Sequence, residues 1–243
     1  MRSLMPVLHV LSLVILIFGL TMLLPVAVSW LLHDGAESVF DEAIALTLVT
    51  GVLLAIFTRK DKRDLRIRDG FLMVALVWTV LPIFAALPLM IGLHLSFTDA
   101  YFEAVSGLTT TGATILTGID DLPASINFWR TQLVWLGGMG LIVLAVAVLP
   151  LLGIGGRQMF KAETPGPMKD SKMTPRIAET AKGLWGVYAG ITVCCALSFR
   201  WAGMTWLDAI MHTFSTMGLG GFSSHDASFG HFNRSEERRV GKE

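Results

Sequence analysis

Apolar residues fall in long runs rather than in alternation, and the runs indicate the first elements. Leu4 to Leu32 carries no Asp, Glu, Lys or Arg. At about 1.5 Å per residue it is long enough to cross a bilayer as a tilted helix. Its apolar part exceeds that of a signal peptide, and no small-residue cleavage site precedes His33. A second run, Ala43 to Phe57, reaches spanning length when Ser38 to Phe40 extend it. A third, Phe71 to Leu93, contains Pro82 and Pro88, which membrane helices tolerate where neighbours bond the freed carbonyls. Thr131 to Gly155 and Gly183 to Phe199 complete five predicted spans, giving an all-α polytopic membrane protein.

Composition agrees with that reading. Of 243 residues, 53% are hydrophobic and 16% charged, and the mean hydropathy of +0.63 excludes an ordinary water-soluble domain. The partner these values imply is the lipid bilayer. With 19 basic and 19 acidic residues, no net charge speaks for a nucleic-acid partner, and the information lies in where charges fall. Six Lys or Arg lie in 59–69 and six more in 157–182, which predicts both loops to be cytoplasmic. Segments 33–42 and 94–128 carry acids and no Lys or Arg, so both are predicted outside, with the N-terminus inside. Cys194 and Cys195 are neighbours in an apolar run, which fits small core residues better than a disulfide or a zinc site.

The outer segment 94–128 is too long for a turn. Its first part, 97–108, has Phe102, Val105 and Leu108 at helical spacing, with Thr98 or Asp99 as candidate caps. Such a helix reaches only about halfway through a bilayer, the length of a re-entrant segment. It runs into "GLTTTGATIL", four threonines and two glycines in ten residues. Shifting the chain by 109 positions lays 96–114 over 205–223, matching Asp99 with Asp208, Ala100 with Ala209, Ser106 with Ser215 and Gly112 with Gly221. Two re-entrant helix and loop units are therefore predicted. Glycine admits positive φ and threonine adds hydroxyl oxygens, so such loops can turn oxygens toward an axis and replace the hydration shell of an alkali cation. The C-terminal end of each short helix adds a partial negative charge.

"YFEAVSGLTTTGAT", the stretch from "GGMGLIVL" to "KAETPGP", and "FSTMGLGGFSSHDASFG" resemble the Trk/Ktr/HKT potassium-uptake family, most closely its TrkH/TrkG type. The resemblance covers residues 1 to about 232. It implies four helix, pore-loop, helix repeats around one pore, preceded by an extra helix pair. On that pattern 1–58 is the pair, 70–156 the first repeat, 157–182 a cytoplasmic loop, 183–232 the front of a second repeat and 233–243 a polar tail outside the family pattern. The resemblance implies that Thr110, Thr111 and Gly112 supply filter oxygens in one loop and Leu219, Gly220 and Gly221 in the other. In the family it resembles, glycine at the position of Gly112 goes with potassium preference and serine with sodium passage, so the resemblance implies potassium. Further implications are potassium as substrate with no covalently bound cofactor, a bacterial inner-membrane location, a homodimer, and a cytoplasmic nucleotide-binding TrkA-type regulatory subunit. Two pore loops do not close a ring, so the alternative is a non-conducting fragment that assembles with intact subunits.

Other features take simpler readings. "GGMG" (137–140) and "GIGG" (153–156) have no preceding strand and fit close helix packing better than phosphate binding. His212 fits a hydrogen-bonded pore-helix side chain better than a proton sensor. Glu103, Asp99 and Asp208 fit either the pore mouth or loop support. Trp30, Trp129, Trp201 and Trp206 are predicted at membrane interfaces. The chain has no zinc-type His/Cys spacing, Walker loop or nucleophile elbow, and Asp120 with Asp121 is predicted in an exposed loop, so no enzyme is expected.

Overall fold

The computed structural model describes residues 4–59, 67–148 and 173–232, and the regular elements among them are helices. They are α1 (Met5–Thr21), α2 (Leu23–Leu32), α3 (Glu37–Thr58), α4 (Ile67–Ala85), α5 (Leu87–Leu93), α6 (Phe97–Leu108), a 3-10 turn (Ile119–Asp121), α7 (Ala124–Val148), α8 (Met173–Trp201) and α9 (Trp206–Gly218). Among the described residues, Met5–Leu32, Glu37–Thr58, Asp69–Leu93 and Thr180–Trp201 are long and apolar enough to cross a membrane. Loop 59–69, the first part of 157–182, "GIGG" and the tail 233–243 fall largely or wholly outside the described residues.

Two predicted spans are broken helices, and proline is the cause in both. Leu4 to Leu32 divides at Met22, because Pro25 has no N–H to offer the Thr21 carbonyl. The side-chain amide of Gln132, on α7, donates to that carbonyl at 2.8 Å. Phe71 to Leu93 divides at Ala86, two residues before Pro88, which stands in the first turn of α5 and has no N–H to offer the Phe84 carbonyl, whereas Pro82 lies within α4. The Trp129 indole donates to the Ala85 carbonyl at this break, and the Tyr101 hydroxyl to the Thr79 carbonyl ahead of Pro82, each at 3.0 Å.

The span expected at Thr131 to Gly155 is α7, and it starts earlier, at Ala124. Asp34, in the turn between α2 and α3, accepts from the Ser125 N–H at 2.7 Å and so caps the new first turn. This extension winds Ser125, Asn127 and Arg130 into the helix as buried residues, ahead of the buried Thr131 and Gln132. It also moves Trp129 away from the predicted interface. Trp129 is fully buried, with its ring 5.7 Å from Phe18 and 6.4 Å from Phe40. By contrast, Trp30, Trp201 and Trp206 are exposed.

The main core joins α1, α3, α4, α5, α6 and α7 through Phe18, Met22, Phe40, Leu81, Ala85, Leu89, Ala104, Trp129 and Leu133. α8 leans on α7 and α9. The Tyr188 hydroxyl donates to the Trp135 carbonyl at 3.0 Å, and the Trp135 indole to Thr192 Oγ1 at 3.1 Å. Val187, Ile191, Val193 and Leu197 form an exposed apolar face along the later part of α8. Cys194 belongs to that exposed face, not to the core expected of it.

Candidate functional site

Two helix and loop units share one backbone design, 109 residues apart. α6 is capped by Ser96, whose hydroxyl accepts from the Asp99 N–H at 3.2 Å and donates to the Asp99 carboxylate at 2.8 Å. The cap is therefore Ser96, one residue before Phe97, rather than Thr98 or Asp99. α9 repeats the arrangement with Thr205 and Asp208, at 3.1 and 2.7 Å. This resembles a capping box, except that each aspartate accepts from the cap's hydroxyl and not from its N–H.

The loops after these helices match as closely. The Thr111 N–H bonds back to the Ser106 carbonyl at 2.9 Å, and the Gly220 N–H to the Ser215 carbonyl at 3.1 Å. Thr110 has φ +57° and Leu219 φ +58°, while Gly112 has φ +74° and Gly221 φ +84°. Positive φ at a threonine and a leucine is uncommon and strained. Its recurrence at corresponding positions marks a backbone held in one shape twice. Alternation of positive with ordinary φ turns the chain at every second residue.

The loops lie against each other. A Cβ placed on Gly112 would fall 1.5 Å from the Gly220 carbonyl oxygen. Thr111 keeps its side chain exposed and shares a 2.8 Å hydrogen bond with Thr109, Leu219 projects outward and Gly220 is buried. A cavity of about 150 Å³ opens beside the pair, lined by Gly112, Thr114, Gly221, Phe222, Ser223 and His225 among others. The structure thus gathers the candidates of each loop, Thr110 to Gly112 and Leu219 to Gly221, into two adjoining turns.

The glycines of α7 set how close the short helices come. A Cβ on Gly137 would meet the Leu108 carbonyl at 1.9 Å, and one on Gly138 would meet Gly218 Cα at 2.8 Å. Both short helices therefore end directly on α7. Close packing accounts for the first two glycines of "GGMG".

Behind the first loop is an ion pair that the hydropathy pattern hides. Arg130 and Glu103 are fully buried and meet at 2.7 Å. The guanidinium also donates to Asn127 Oδ1 at 2.9 Å and Thr114 Oγ1 at 3.1 Å, and lies 4.6 Å from the centre of the Phe222 ring. Glu103 accepts from the Thr114 hydroxyl at 2.8 Å and the Ile115 N–H at 3.2 Å. Asn127 reaches the second loop, donating to the Ser224 carbonyl at 3.0 Å. Arg130 is thus tied to both loops, and Glu103 supports a loop instead of facing the mouth. The available signal was an arginine adjoining an apolar run, opposite an acid in a short helix.

In the second unit, Asp208 accepts from Ser224 Oγ at 2.8 Å, and His212 Nδ1 lies 3.0 Å from the Asp208 carbonyl. His212 is buried and bonded inside its helix end, as its simpler reading required.

The family model for TrkH, described as cation transport protein, matches residues 36–236. The chain belongs to that family. The Trk system potassium uptake protein TrkH of Halomonas elongata is 54% identical over 233 residues, covering 95% of this chain and 48% of that protein. Its Vibrio parahaemolyticus counterpart is 52% identical, covering 93% of this chain and 47% of that protein. The crystal structure of the potassium transporter TrkH from Vibrio parahaemolyticus superposes with a TM-score of 0.84 at 47% identity, covering 96% of this chain and 47% of that one. The chain thus spans about half the length of the relatives it matches.

Proposed function

We propose that this chain forms two of the filter segments of a Trk-type potassium uptake pore in a bacterial inner membrane. One observation carries the reading: two short helices of like capping end in adjoining loops that repeat positive φ at Thr110 and Leu219 and at Gly112 and Gly221. In this reading the carbonyls of Thr110, Thr111, Gly112, Leu219, Gly220 and Gly221 replace part of the water around potassium, the substrate. No cofactor is covalently bound and no bond is made or broken, so the protein is a transporter and not an enzyme.

The partners follow from the same reading. The complete pore needs further filter segments, the assembly is a homodimer, and a cytoplasmic nucleotide-binding subunit of the TrkA type meets the basic loops. The N-terminus is cytoplasmic. A second reading draws on the same geometry: two adjoining loops leave the rest of a ring open, so the chain by itself is a membrane fragment that conducts only when completed. Both are tested by expressing the chain alone, and as a chimera replacing the matching half of the Halomonas elongata relative, in cells deficient in potassium transport. Rubidium uptake from the chimera and none from the chain alone is the expected outcome. A chimera present in the membrane but unable to support uptake would overturn the proposal.

A further inference from the structure

Beyond the filter loops, the outer ends of the two units meet at three side chains capable of holding a metal. Asp120 follows the first loop, and His225 and His231 follow the second. One donor atom from each lies within 4.8 Å of the others. His225 Nδ1 bonds Asp120 Oδ1, and the His225 and His231 rings stack 3.6 Å apart and 1° from parallel. The second nitrogen of His225 lies 3.2 Å from Asp208 Oδ1.

We propose that Asp120, His225 and His231 form a binding site for a divalent transition metal of the zinc type, clamping the outer loops of the two units together. Two imidazoles and a carboxylate are a donor set that such ions accept, and the remaining position is left for water. The surroundings support ligation by His225 Nδ1. Asp208 lies near its other nitrogen, which is buried and makes no hydrogen bond as it stands; with a metal on Nδ1 that nitrogen carries the proton, and a small turn of the ring gives it to Asp208, the partner that orients a ligating histidine. Asp208 is held in turn by Ser224 Oγ and Thr205 Oγ1.

Binding requires one adjustment. Zinc to nitrogen bonds of about 2.0–2.1 Å in a tetrahedron bring donors to roughly 3.3 Å from one another, and stacked parallel rings cannot both point at one ion. His231 is exposed, so it can swing out of the stack while His225 stays anchored. His225 also lines the cavity beside Gly112 and Gly221. A bound dication there would oppose the approach of other cations.

The purified 243-residue chain in detergent at neutral pH is titrated with zinc against a chromophoric chelator, and with cobalt for visible absorption bands. The expected result is one zinc per chain with micromolar affinity and tetrahedral cobalt bands. His231→Ala and Asp120→Asn should each weaken binding at least tenfold with the helical circular dichroism unchanged. His33→Asn, a control at a distant helix end, should bind normally. Absence of binding tighter than millimolar would overturn the site, as would undiminished affinity in both His231→Ala and Asp120→Asn. A second measurement rests on the uptake reading: zinc should inhibit rubidium uptake by the chimera and spare its His231→Ala form. Because binding is measured without transport, a failed uptake assay leaves the metal result standing or falling by itself.

Discussion

The side-chain amide of Gln132 donates at 2.8 Å to the Thr21 carbonyl, the acceptor that Pro25 leaves without its helical partner. One side chain on α7 thus completes the backbone of a helix more than 100 residues earlier in the chain. Gln132→Leu strands that carbonyl, which would ordinarily cost about 1–3 kcal/mol. The Gln132 Oε1 is itself buried without a hydrogen-bond partner, and its removal offsets part of the loss, so about 1 kcal/mol is expected. Pro25→Ala supplies the missing N–H and should make Gln132→Leu nearly neutral. Thermal unfolding of the four variants in detergent measures the coupling. Equal losses in both backgrounds would show that Gln132 does not serve this carbonyl.

Arg130 offers a larger effect, because it is fully buried against a carboxylate. Arg130→Leu leaves Glu103 as an uncompensated buried charge, with an expected loss of about 3–5 kcal/mol. Arg130→Leu with Glu103→Leu together should recover most of the stability, since matched apolar pairs often replace buried ion pairs without penalty. Uptake by the doubly substituted chimera should stay impaired, because Thr114 and Ile115 lose the acceptor that positions them. Full uptake in that form would remove the pair from loop support.

The apolar runs placed most spans within a few residues, because bilayer thickness imposes a length that shows in a single sequence. The two helix and loop units were legible for a different reason: Asp99 and Asp208 sit at helix starts, and Gly112 and Gly221 hold backbone that few other residues adopt. Arg130 was not legible. Its charge broke the apolar run and assigned the first turns of α7 to a loop, while the compensation for that charge lies on α6, 27 residues away in sequence. Trp129 misled for a related reason, since its indole found a buried carbonyl at Ala85 instead of the interface. The breaks at Met22 and Ala86 are visible as prolines, but the side chains that repair them come from other helices.

Asp34 links the α2 to α3 turn to the start of α7, and its ionisation should register in stability. Burial pushes its carboxyl up, but hydrogen bonds from Ser29, Ser125 and Ala36 outweigh this and hold it below its ordinary value. A depressed folded value stabilises the protein above the unfolded value, near about pH 4, and that contribution is lost as pH falls through the folded value. Unfolding temperature should therefore decline below about pH 4 in the parent and decline less in Asp34→Asn. Parallel declines would show that another acid governs the transition.

The last expectation concerns Gly112 and Gly221, which share positive φ but differ in their surroundings. At Gly221 a Cβ would meet nothing within 4 Å, so Gly221→Ala carries only backbone strain, about 1–3 kcal/mol. At Gly112 the same strain is joined by a collision, because the added carbon would fall 1.5 Å from the Gly220 carbonyl oxygen. That oxygen belongs to main chain and cannot rotate aside as a side chain would, so the two loops must separate. Gly112→Ala in the chimera should therefore lower rubidium uptake far more than Gly221→Ala. Gly112→Ser should widen the gap between the loops and raise sodium flux relative to rubidium, and Gly112→Val, with a β-branch at positive φ, should abolish uptake. Radiotracer uptake on matched amounts of membrane protein decides the order. If alanine proves as harmless at Gly112 as at Gly221, the loops do not abut in the working pore, and the proposal that they form one filter loses its geometric support.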